Sequence, residues 1–277
     1  GFQGVSRARE VTTLGRGGSD TTAVALAAAL DAERCDIFTD VDGVYTADPA
    51  VAPGARRLAR IGYDEMTELA VSGARVLHPR AVEIARRHRI PVRVRSSLAG
   101  EDDQGTDEGT LITWRKPTME DPVIIGVASE DAYARLLLRG LPPEMSTMTG
   151  VLRRLTATGV SVDLLSQVDG PDGLRVVQLT VRETELEEAR SVCDAMVSEL
   201  AGTGVEVRTG LARVTVVGSG MHKRPGVFAR VFEILEEDGV EVHDVSASSV
   251  SIIVMVDHEA EARAVRLLHD GFGLGAS

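Results

Sequence analysis

An internal repeat in the second half of the chain constrains the fold more than any other feature of the sequence. A pattern of apolar residues, a Gly-Val pair and a serine recurs 80 positions further on. The first copy consists of Val151-Leu152, Leu155, Gly159-Val160, Val162, Leu165 and Ser166, and the second of Val231-Phe232, Leu235, Gly239-Val240, Val242, Val245 and Ser246. Each copy has the pattern strand, helix, strand, strand, helix, which predicts two ferredoxin-like units of βαββαβ topology.

The first hundred residues follow a different pattern. Between residues 10 and 98, short apolar strands alternate with amphipathic helices, which is typical of an α/β fold with a mostly parallel sheet. Ser19 or Asp20 is expected to cap a buried helix of Ala, Leu and Val. A strand, two helices and another strand are predicted at residues 35–39, 64–71, 79–89 and 91–95. Residues 101–109 are polar and acidic, which predicts an exposed loop.

Composition excludes several classes of function. The chain has 42 acidic and 30 basic side chains, and its net charge of −12 repels phosphate backbones, so no nucleic-acid partner is expected. The longest apolar run, residues 23–30, is far shorter than the roughly 20 residues needed to cross a bilayer, so no membrane partner is expected. Cys35 and Cys193 lack the spacing of a metal or redox pair, and a reducing cytoplasmic location is expected.

A glycine-rich segment, Thr12-Thr13-Leu14-Gly15-Arg16-Gly17-Gly18-Ser19-Asp20, carries the first chemical signal. Glycines allow close approach of a ligand to the backbone, and the start of the following helix offers N–H groups and a positive dipole end to an anion. Arg16 can clamp a carboxylate through two parallel hydrogen bonds. Asp20 alone is equally well explained as an acidic charge at a helix start.

A second loop, from Thr39 to Pro49, follows a predicted strand. Thr39, Asp40 and Tyr45 suit a sugar or a base edge, because loops at the carboxyl ends of strands bind ligands in open α/β sheets. The Asp42-Gly43 pair alone indicates only a turn. His78 precedes a helix-starting proline without a second histidine or carboxylate at useful spacing, which favours a structural role.

These two segments, together with Gly73-Ala74-Arg75-Val76-Leu77-His78-Pro79, resemble the aspartate kinases. That family combines an amino-acid-kinase sheet sandwich with two ACT domains, and the repeats described above match the ACT pair. The resemblance implies three regions: the C-terminal portion of the kinase domain in residues 1–115, a first ACT repeat in 122–209 and a second in 210–277. It also implies that the chain lacks the N-terminal portion of the kinase domain, including a Lys-Phe-Gly-Gly stretch, and is incomplete for catalysis as it stands.

The resemblance implies transfer of the γ-phosphoryl group of ATP to the side-chain carboxylate of L-aspartate, assisted by Mg²⁺, in the first step toward lysine, threonine and methionine. By the same resemblance, Arg16 and Asp20 are catalytic, and no protein metal ligand is assigned. The residues expected to hold aspartate are Phe2, Thr13, Arg16 and Ser19. The residues expected at the nucleotide are Thr39, Asp40, Tyr45, Ala50, Arg75 and Val76.

Two of these positions depart from the family pattern. Ala50 stands where an arginine commonly follows Asp-Pro, and Arg75 stands where a lysine is usual. A guanidinium keeps the positive charge but has the shape of a fixed planar fork. The effect of both departures on ATP binding is left open.

The ACT pair implies an amino-acid effector, either lysine, threonine or another ligand. The positions expected at the effector are Ser161, Val162, Asp163, Gln167, Glu241, Val242, Ser249 and Val250. The loop that opens the first repeat, residues 140–148, lacks the Asp and Pro-Gly of the family, whereas Pro225-Gly226 keeps that pair in the second. Feedback inhibition is therefore expected to be altered.

Two functions remain open, an aspartate kinase and a non-catalytic amino-acid-sensing regulatory subunit. Arg16, Ser19 and Asp20 favour the kinase, because a regulatory subunit does not need a substrate loop. Ferredoxin-like repeats with exposed sheet edges usually bury them against another subunit, so a homo-oligomer or a heterotetramer is expected.

Overall fold

The computed structural model describes residues 1–98, 109–114, 123–221 and 224–275. The predicted exposed loop at 101–109 lies outside the described residues except for Gly109. The chain divides into two compact units. Unit 1 comprises Gly1–Ser129, Val214–Val254 and Ala262–Ser277, and unit 2 comprises Glu130–Arg213 and Met255–Glu261. None of the helices among these residues combines the length and the apolar character that crossing a membrane requires.

The first part of unit 1 is a small α/β domain. Its elements are β1 (Gln3–Val5), β2 (Val11–Thr13), α1 (Gly18–Ala29), β3 (Cys35–Thr39), β4 (Arg60–Gly62), α2 (Tyr63–Val71), α3 (Pro79–His88), β5 (Val92–Ser96) and β6 (Thr110–Thr113). The main sheet has the order β3-β5-β6-β4, in which β3–β5 and β4–β6 are parallel and β5–β6 is antiparallel. The predicted strand at 35–39 and the helices and strand near 64–71, 79–89 and 91–95 are present within one or two residues.

One side of this sheet forms the core of the domain. Val92 and Val94 of β5 and Ile112 of β6 are fully buried, and they pack with Ala81 and Val82 of α3. Helix α3 begins at Pro79, which is favourable at the first helical position because its missing N–H is not needed there.

The prediction that α1 is buried is wrong. Leu26 and Leu30 are 56% and 76% exposed, whereas Val24 and Ala27 are buried on the opposite side. The helix packs through one face only, against β3 and α3. The body of the helix, residues 22–30, is almost wholly Ala, Leu and Val and has no polar face, so the sequence does not reveal which side is covered.

The repeats have the predicted order of elements. The first contains β7 (Gly126–Leu141), α4 (Met145–Ala157), β8 (Leu164–Asp169), β9 (Arg175–Arg182) and α5 (Leu186–Glu199). The second contains β10 (Gly204–Val217), α6 (Val227–Glu237), β11 (Asp244–Ala247), β12 (Ser251–Asp257) and α7 (Glu261–Gly271). In unit 2, β9 pairs antiparallel with both β7 and β8, with Leu136 opposite Leu179 and Leu165 also opposite Leu179.

The first repeat has its own core. In unit 2, Leu136 and Leu179 are fully buried and belong to one cluster with Val151 of α4 and Cys193 of α5. In unit 1, the segment just before β7 joins the second repeat, because the Ile125 N–H donates to the Val217 carbonyl at 2.9 Å.

Candidate functional site

The glycine-rich segment forms a tight loop in front of α1. Gly15 and Gly17 have φ values of +80° and +67°, in the left-handed region that favours glycine. A Cβ atom on Gly17 would lie 2.2 Å from both Cβ and Cγ of His78, whereas one on Gly15 would meet no atom within 4 Å. Both glycines are therefore required by the backbone, and Gly17 is also required by the neighbouring histidine.

Helix α1 begins without a capping side chain. The expectation that Ser19 or Asp20 caps it is wrong: the N-cap is Gly17, and Ser19 and Asp20 lie in the first turn. The reason is the left-handed conformation of Gly17, which directs the chain into a helix that begins at Gly18. In the part of the chain that the structure describes, no side-chain oxygen caps the first N–H groups of the helix, so its positive end is available to an anion.

Asp20 connects the loop to the third motif. The His78 backbone N–H donates to Oδ2 of Asp20 at 3.3 Å, and the hydroxyl of Ser19 lies 3.5 Å from Oδ1. The His78 ring caps α3, because its Nδ1 accepts the N–H of Arg80 at 3.3 Å. This agrees with the structural role expected for His78. The glycine loop and the start of α3 thus meet at one carboxylate.

Two residues expected at aspartate lie beside the same loop on the β1–β2 hairpin. The Leu14 N–H donates to the Phe2 carbonyl at 2.9 Å, and Thr13 pairs with Gln3. A Cβ on Gly18 would approach the Phe2 backbone to 3.3 Å. The structure therefore brings five of the expected positions into one region: Phe2, Thr13, Arg16, Ser19 and Asp20. Arg16 and Ser19 are exposed and Asp20 is half-buried.

The segment from residue 40 to 58, termed the 40–58 loop, follows β3 and folds back on itself. The hydroxyl of Thr39 donates to Asp40 at 2.9 Å, and the hydroxyl of Tyr45 donates to Asp42 at 2.9 Å. Tyr45 forms an antiparallel bridge with Arg57, whose guanidinium lies 3.6 Å from Oδ2 of Asp42. Asp42 therefore orients the Tyr45 ring. The Asp42-Gly43 pair alone indicated only a turn, so this role of Asp42 was not predicted.

The other three expected nucleotide positions lie in different surroundings. The N–H of Ala50 donates to Oδ1 of Asp48 at 2.8 Å in an exposed turn of the 40–58 loop. Arg75 is exposed in the segment before α3, whereas Val76 packs partly buried against the core. Val76 therefore has a clear packing role independent of any ligand.

Burial affects the thiol at the start of β3. Desolvation raises the pKa of Cys35, and the carboxylates of Asp36 and Asp20 raise it further. A protonated, buried thiol is a poor nucleophile and metal ligand. Cys35 therefore belongs to the core of the domain and not to its chemistry.

One expected effector position of the first repeat, Asp163, pairs with a buried arginine in unit 2. Asp163 accepts a hydrogen bond from Arg213 at 2.6 Å, and Arg213 also donates to Glu130 at 3.2 Å. The Arg213 side chain is only 7% exposed and lies 5.2 Å from the centre of the Tyr133 ring. Burial raises the pKa of Tyr133. Asp163 is thus already paired with a cation of the chain itself.

The neighbouring effector positions are less enclosed. The N–H of Ser161 donates to Glu185 at 3.2 Å, Val162 packs partly buried against the core of unit 2, and Gln167 is exposed on β8. In unit 1, a carboxylate oxygen of Glu241 lies 3.4 Å from Nδ1 of His243.

The remaining effector positions of unit 1 lie around the second-repeat strands. Ser249 is exposed, Val242 is half-buried, and the Val250 carbonyl accepts the Gly218 N–H at 3.0 Å. The structure therefore places these three effector positions at turns and strand ends of the second repeat.

Two fully buried polar residues, one in the 40–58 loop and one in α7, were not among the expected positions. Thr46 and His269 are both 0% exposed, and Oγ1 of Thr46 lies 3.0 Å from Nε2 of His269. Their separation of 223 positions gives no local sequence signal.

The α/β domain with its glycine loop, followed by two ferredoxin-like repeats, defines a class of protein, an amino-acid kinase joined to ACT domains. Family models agree: residues 1–96 match the amino acid kinase family, and residues 214–272 match the ACT domain.

Individual relatives define the family more narrowly. The aspartokinase of Bacillus sp. (strain MGA3) is 44% identical over 278 residues, covering 100% of this chain and 66% of the relative. The structure of E. coli aspartokinase III in complex with aspartate and ADP (R-state) matches with a TM-score of 0.78 and 35% identity, over 98% of this chain and 59% of that one. The same enzyme in complex with lysine and aspartate (T-state) matches with a TM-score of 0.71 and 34% identity, over 99% and 59%.

The chain belongs to the aspartokinase family. It spans 66% and 65% of the length of the curated relatives from Bacillus sp. and Geobacillus stearothermophilus.

Proposed function

We propose that the protein containing this chain phosphorylates the side-chain carboxylate of L-aspartate with ATP, forming 4-phospho-L-aspartate. The observation that carries the proposal is the convergence of Arg16, Ser19 and Asp20 with the β1–β2 hairpin at the uncapped start of α1. Such a site suits a small ligand that carries carboxylate groups together with an ammonium group. The aspartate bound in the E. coli relative supports this assignment.

The charges of the loop match those of an amino-acid dicarboxylate. The Arg16 guanidinium pairs with one carboxylate through two parallel hydrogen bonds, and the positive end of α1 favours negative charge nearby. The Ser19 hydroxyl and the Thr13 and Phe2 positions complete the aspartate site. Phosphoryl transfer depends mainly on positioning and on neutralising charge, so a rigid glycine loop is a suitable platform.

The 40–58 loop binds the nucleotide in this proposal. Thr39 and Asp40 lie where β3 ends, and Asp42 holds the Tyr45 ring in place. The proposed contacts to ATP are made by Thr39, Asp40 and Tyr45, with Ala50, Arg75 and Val76 nearby. The bound ADP in the E. coli relative supports a nucleotide site in this fold.

Mg²⁺ fits the donors of the site. Asp20 is the one acidic residue of the glycine-rich segment 12–20, and its carboxylate is the donor that this segment offers to the ion. Among the described residues, neither group of three potential metal ligands includes it. Mg²⁺ is commonly held by one or two carboxylates and by substrate phosphates. Asp20 would therefore hold or orient the ion, which would neutralise charge on the phosphates.

The ACT repeats are the proposed regulatory part. We propose that residues 1–115 act on substrates and that 122–209 and 210–277 respond to an amino acid, with subunits joined through these repeats as homo-oligomers or heterotetramers. The lysine bound in the T-state of the E. coli relative supports an amino-acid effector. The pairing of Asp163 with Arg213 supports an altered response, because that carboxylate is already engaged.

Arg16→Lys in the protein translated from the complete reading frame tests the proposal. The change keeps the charge but removes the two parallel hydrogen bonds of the guanidinium. The free energy of aspartate binding is therefore expected to become less favourable by about 1.5–3 kcal/mol, while ADP affinity stays nearly constant. Arg9→Lys, on the exposed turn of the adjacent hairpin, is the matched control. An equal loss of aspartate and ADP affinity would indicate instead that the loop binds phosphate.

Asp20→Asn provides a second test. A carboxylate that orients cations acts mainly while charge moves, so kcat is expected to fall far more than either substrate affinity. Changed binding with unchanged kcat would show that Asp20 is only an acidic charge at a helix start.

A further inference from the structure

The C-terminal helix of the second ACT repeat forms a buried contact with the 40–58 loop within unit 1. Thr46 and His269 are each fully buried, and Oγ1 of Thr46 lies 3.0 Å from Nε2 of His269. A buried polar group is costly unless it is hydrogen-bonded. This pair therefore makes the packing of α7 against the loop specific.

The hydrogen bonds around this pair form a directed chain. The Arg56 N–H donates to Oγ1 of Thr46 at 3.0 Å, which fills one acceptor position of that oxygen. Nδ1 of His269 lies 3.3 Å from the Asp270 carboxylate, which can only accept when ionised. With Asp270 ionised, this contact favours the tautomer with the proton on Nδ1, and in that tautomer the Thr46 hydroxyl donates to Nε2.

Three further contacts join the same two segments. The Arg56 Nε donates to the Leu274 carbonyl at 3.1 Å, and Ala55 forms an antiparallel bridge with Gly275. The Arg266 guanidinium lies 3.5 Å from the Val51 carbonyl. The far part of the 40–58 loop is therefore held by α7 and the residues that follow it.

We propose that His269 is a positioning residue for the nucleotide, so that α7 of the second ACT repeat sets the conformation of the nucleotide site. The inference rests on the proposed function. Thr46 directly follows Tyr45, and the Thr46 N–H donates to the Arg56 carbonyl at 3.0 Å next to the Tyr45–Arg57 bridge. Moving Thr46 therefore moves Tyr45, the proposed nucleotide contact. His269 itself makes no contact with the ligand.

The test compares variants at Thr46 in the protein from the complete reading frame. Thr46→Val keeps the shape and removes the hydroxyl, whereas Thr46→Ser keeps the hydroxyl and removes a methyl group. We expect Thr46→Val to raise the Kd for ADP about tenfold, corresponding to ~1.4 kcal/mol, and Thr46→Ser to stay close to the parent. A purely packing role predicts the opposite order, because valine fills the space that serine leaves empty.

Variants of His269 provide the second arm. His269→Leu is expected to weaken ADP binding as Thr46→Val does, and His269→Gln to restore part of it through its side-chain amide. The double variant Thr46→Val/His269→Leu is expected to bind ADP no more weakly than the single variant with the higher Kd, because the two substitutions remove the same hydrogen bond. His88→Leu, at the exposed end of α3, is the control. The KM for aspartate is expected to stay constant throughout.

The outcomes separate this inference from the proposed function. A parent protein that forms no aspartyl phosphate would overturn the proposed function. An active parent whose ADP affinity is unchanged in Thr46→Val, or equally reduced in Thr46→Ser, would overturn the role of His269. If Thr46→Val does not fold, Arg56→Met removes the bond to Leu274 from an exposed side chain, and unchanged ADP affinity in that variant would also contradict the inference.

Discussion

The glycine loop gives the sharpest prediction, because Gly15 and Gly17 have similar backbones and different surroundings. An alanine in the left-handed region costs roughly 1–2 kcal/mol at either position. Gly15→Ala adds a methyl group in open space, whereas Gly17→Ala places one 2.2 Å from two atoms of His78. Overpacking typically adds about 1–3 kcal/mol. We therefore expect Gly17→Ala to destabilise unit 1 by roughly 2 kcal/mol more than Gly15→Ala.

Thermal unfolding followed by circular dichroism measures this difference. For a chain of this size, roughly 2 kcal/mol corresponds to a Tm about 4–8 °C lower for Gly17→Ala than for Gly15→Ala. In a His78→Gly background the difference is expected to disappear, because both the Cβ and the ring atoms that crowd the position are absent. Equal Tm values for the two alanine variants in the parent background would refute the role given to the Gly17–His78 contact.

Three further predictions follow from the repeats and their buried groups. Arg213→Met removes the buried cation from Asp163, while Glu130 keeps its ion pair with Arg182, and is expected to destabilise unit 2 by about 1.5–3 kcal/mol in calorimetry. Arg139→Met, at an exposed ion pair with Glu206, is expected to have a much smaller effect; similar losses would contradict the buried network. Burial raises the pKa of Cys193 to about 12, above its ordinary value of 9.0, so its contribution to stability is present below pH 9 and lost as the pH rises from 9 toward 12. Urea unfolding at pH 8 and 10 should show a smaller decrease for Cys193→Ala than for the parent, and equal decreases would contradict the assignment. Millimolar lysine plus threonine is expected to leave kinase activity nearly unchanged, and concerted inhibition would show that the departures in the effector loops are tolerated.

Much of the fold could be predicted from the sequence because periodic hydrophobic patterns encode it directly. The repeat at an offset of 80 predicted α4 and α6 and the strands that follow each of them. The Pro at the start of α3 and the apolar stretch of β3 were also sufficient to locate those elements. Local patterns of this kind carry the information that local structure needs.

The remaining features depend on contacts between distant residues. No local pattern links Thr46 to His269 or Asp163 to Arg213, because each pair meets only after the chain has folded. The start of α1 was predicted incorrectly for a related reason. A glycine in the left-handed conformation can replace a capping side chain, and the sequence does not specify which of Gly15, Gly17 and Gly18 does so.

Trapping of the reaction product tests the central claim most directly. Incubating the protein from the complete reading frame with ATP, Mg²⁺, L-aspartate and hydroxylamine is expected to yield aspartyl hydroxamate, because hydroxylamine captures an acyl phosphate at the side-chain carboxylate. Asp20→Asn should reduce the yield sharply. A folded protein that binds aspartate and ADP but forms no hydroxamate would contradict the account and would indicate a non-catalytic regulatory subunit.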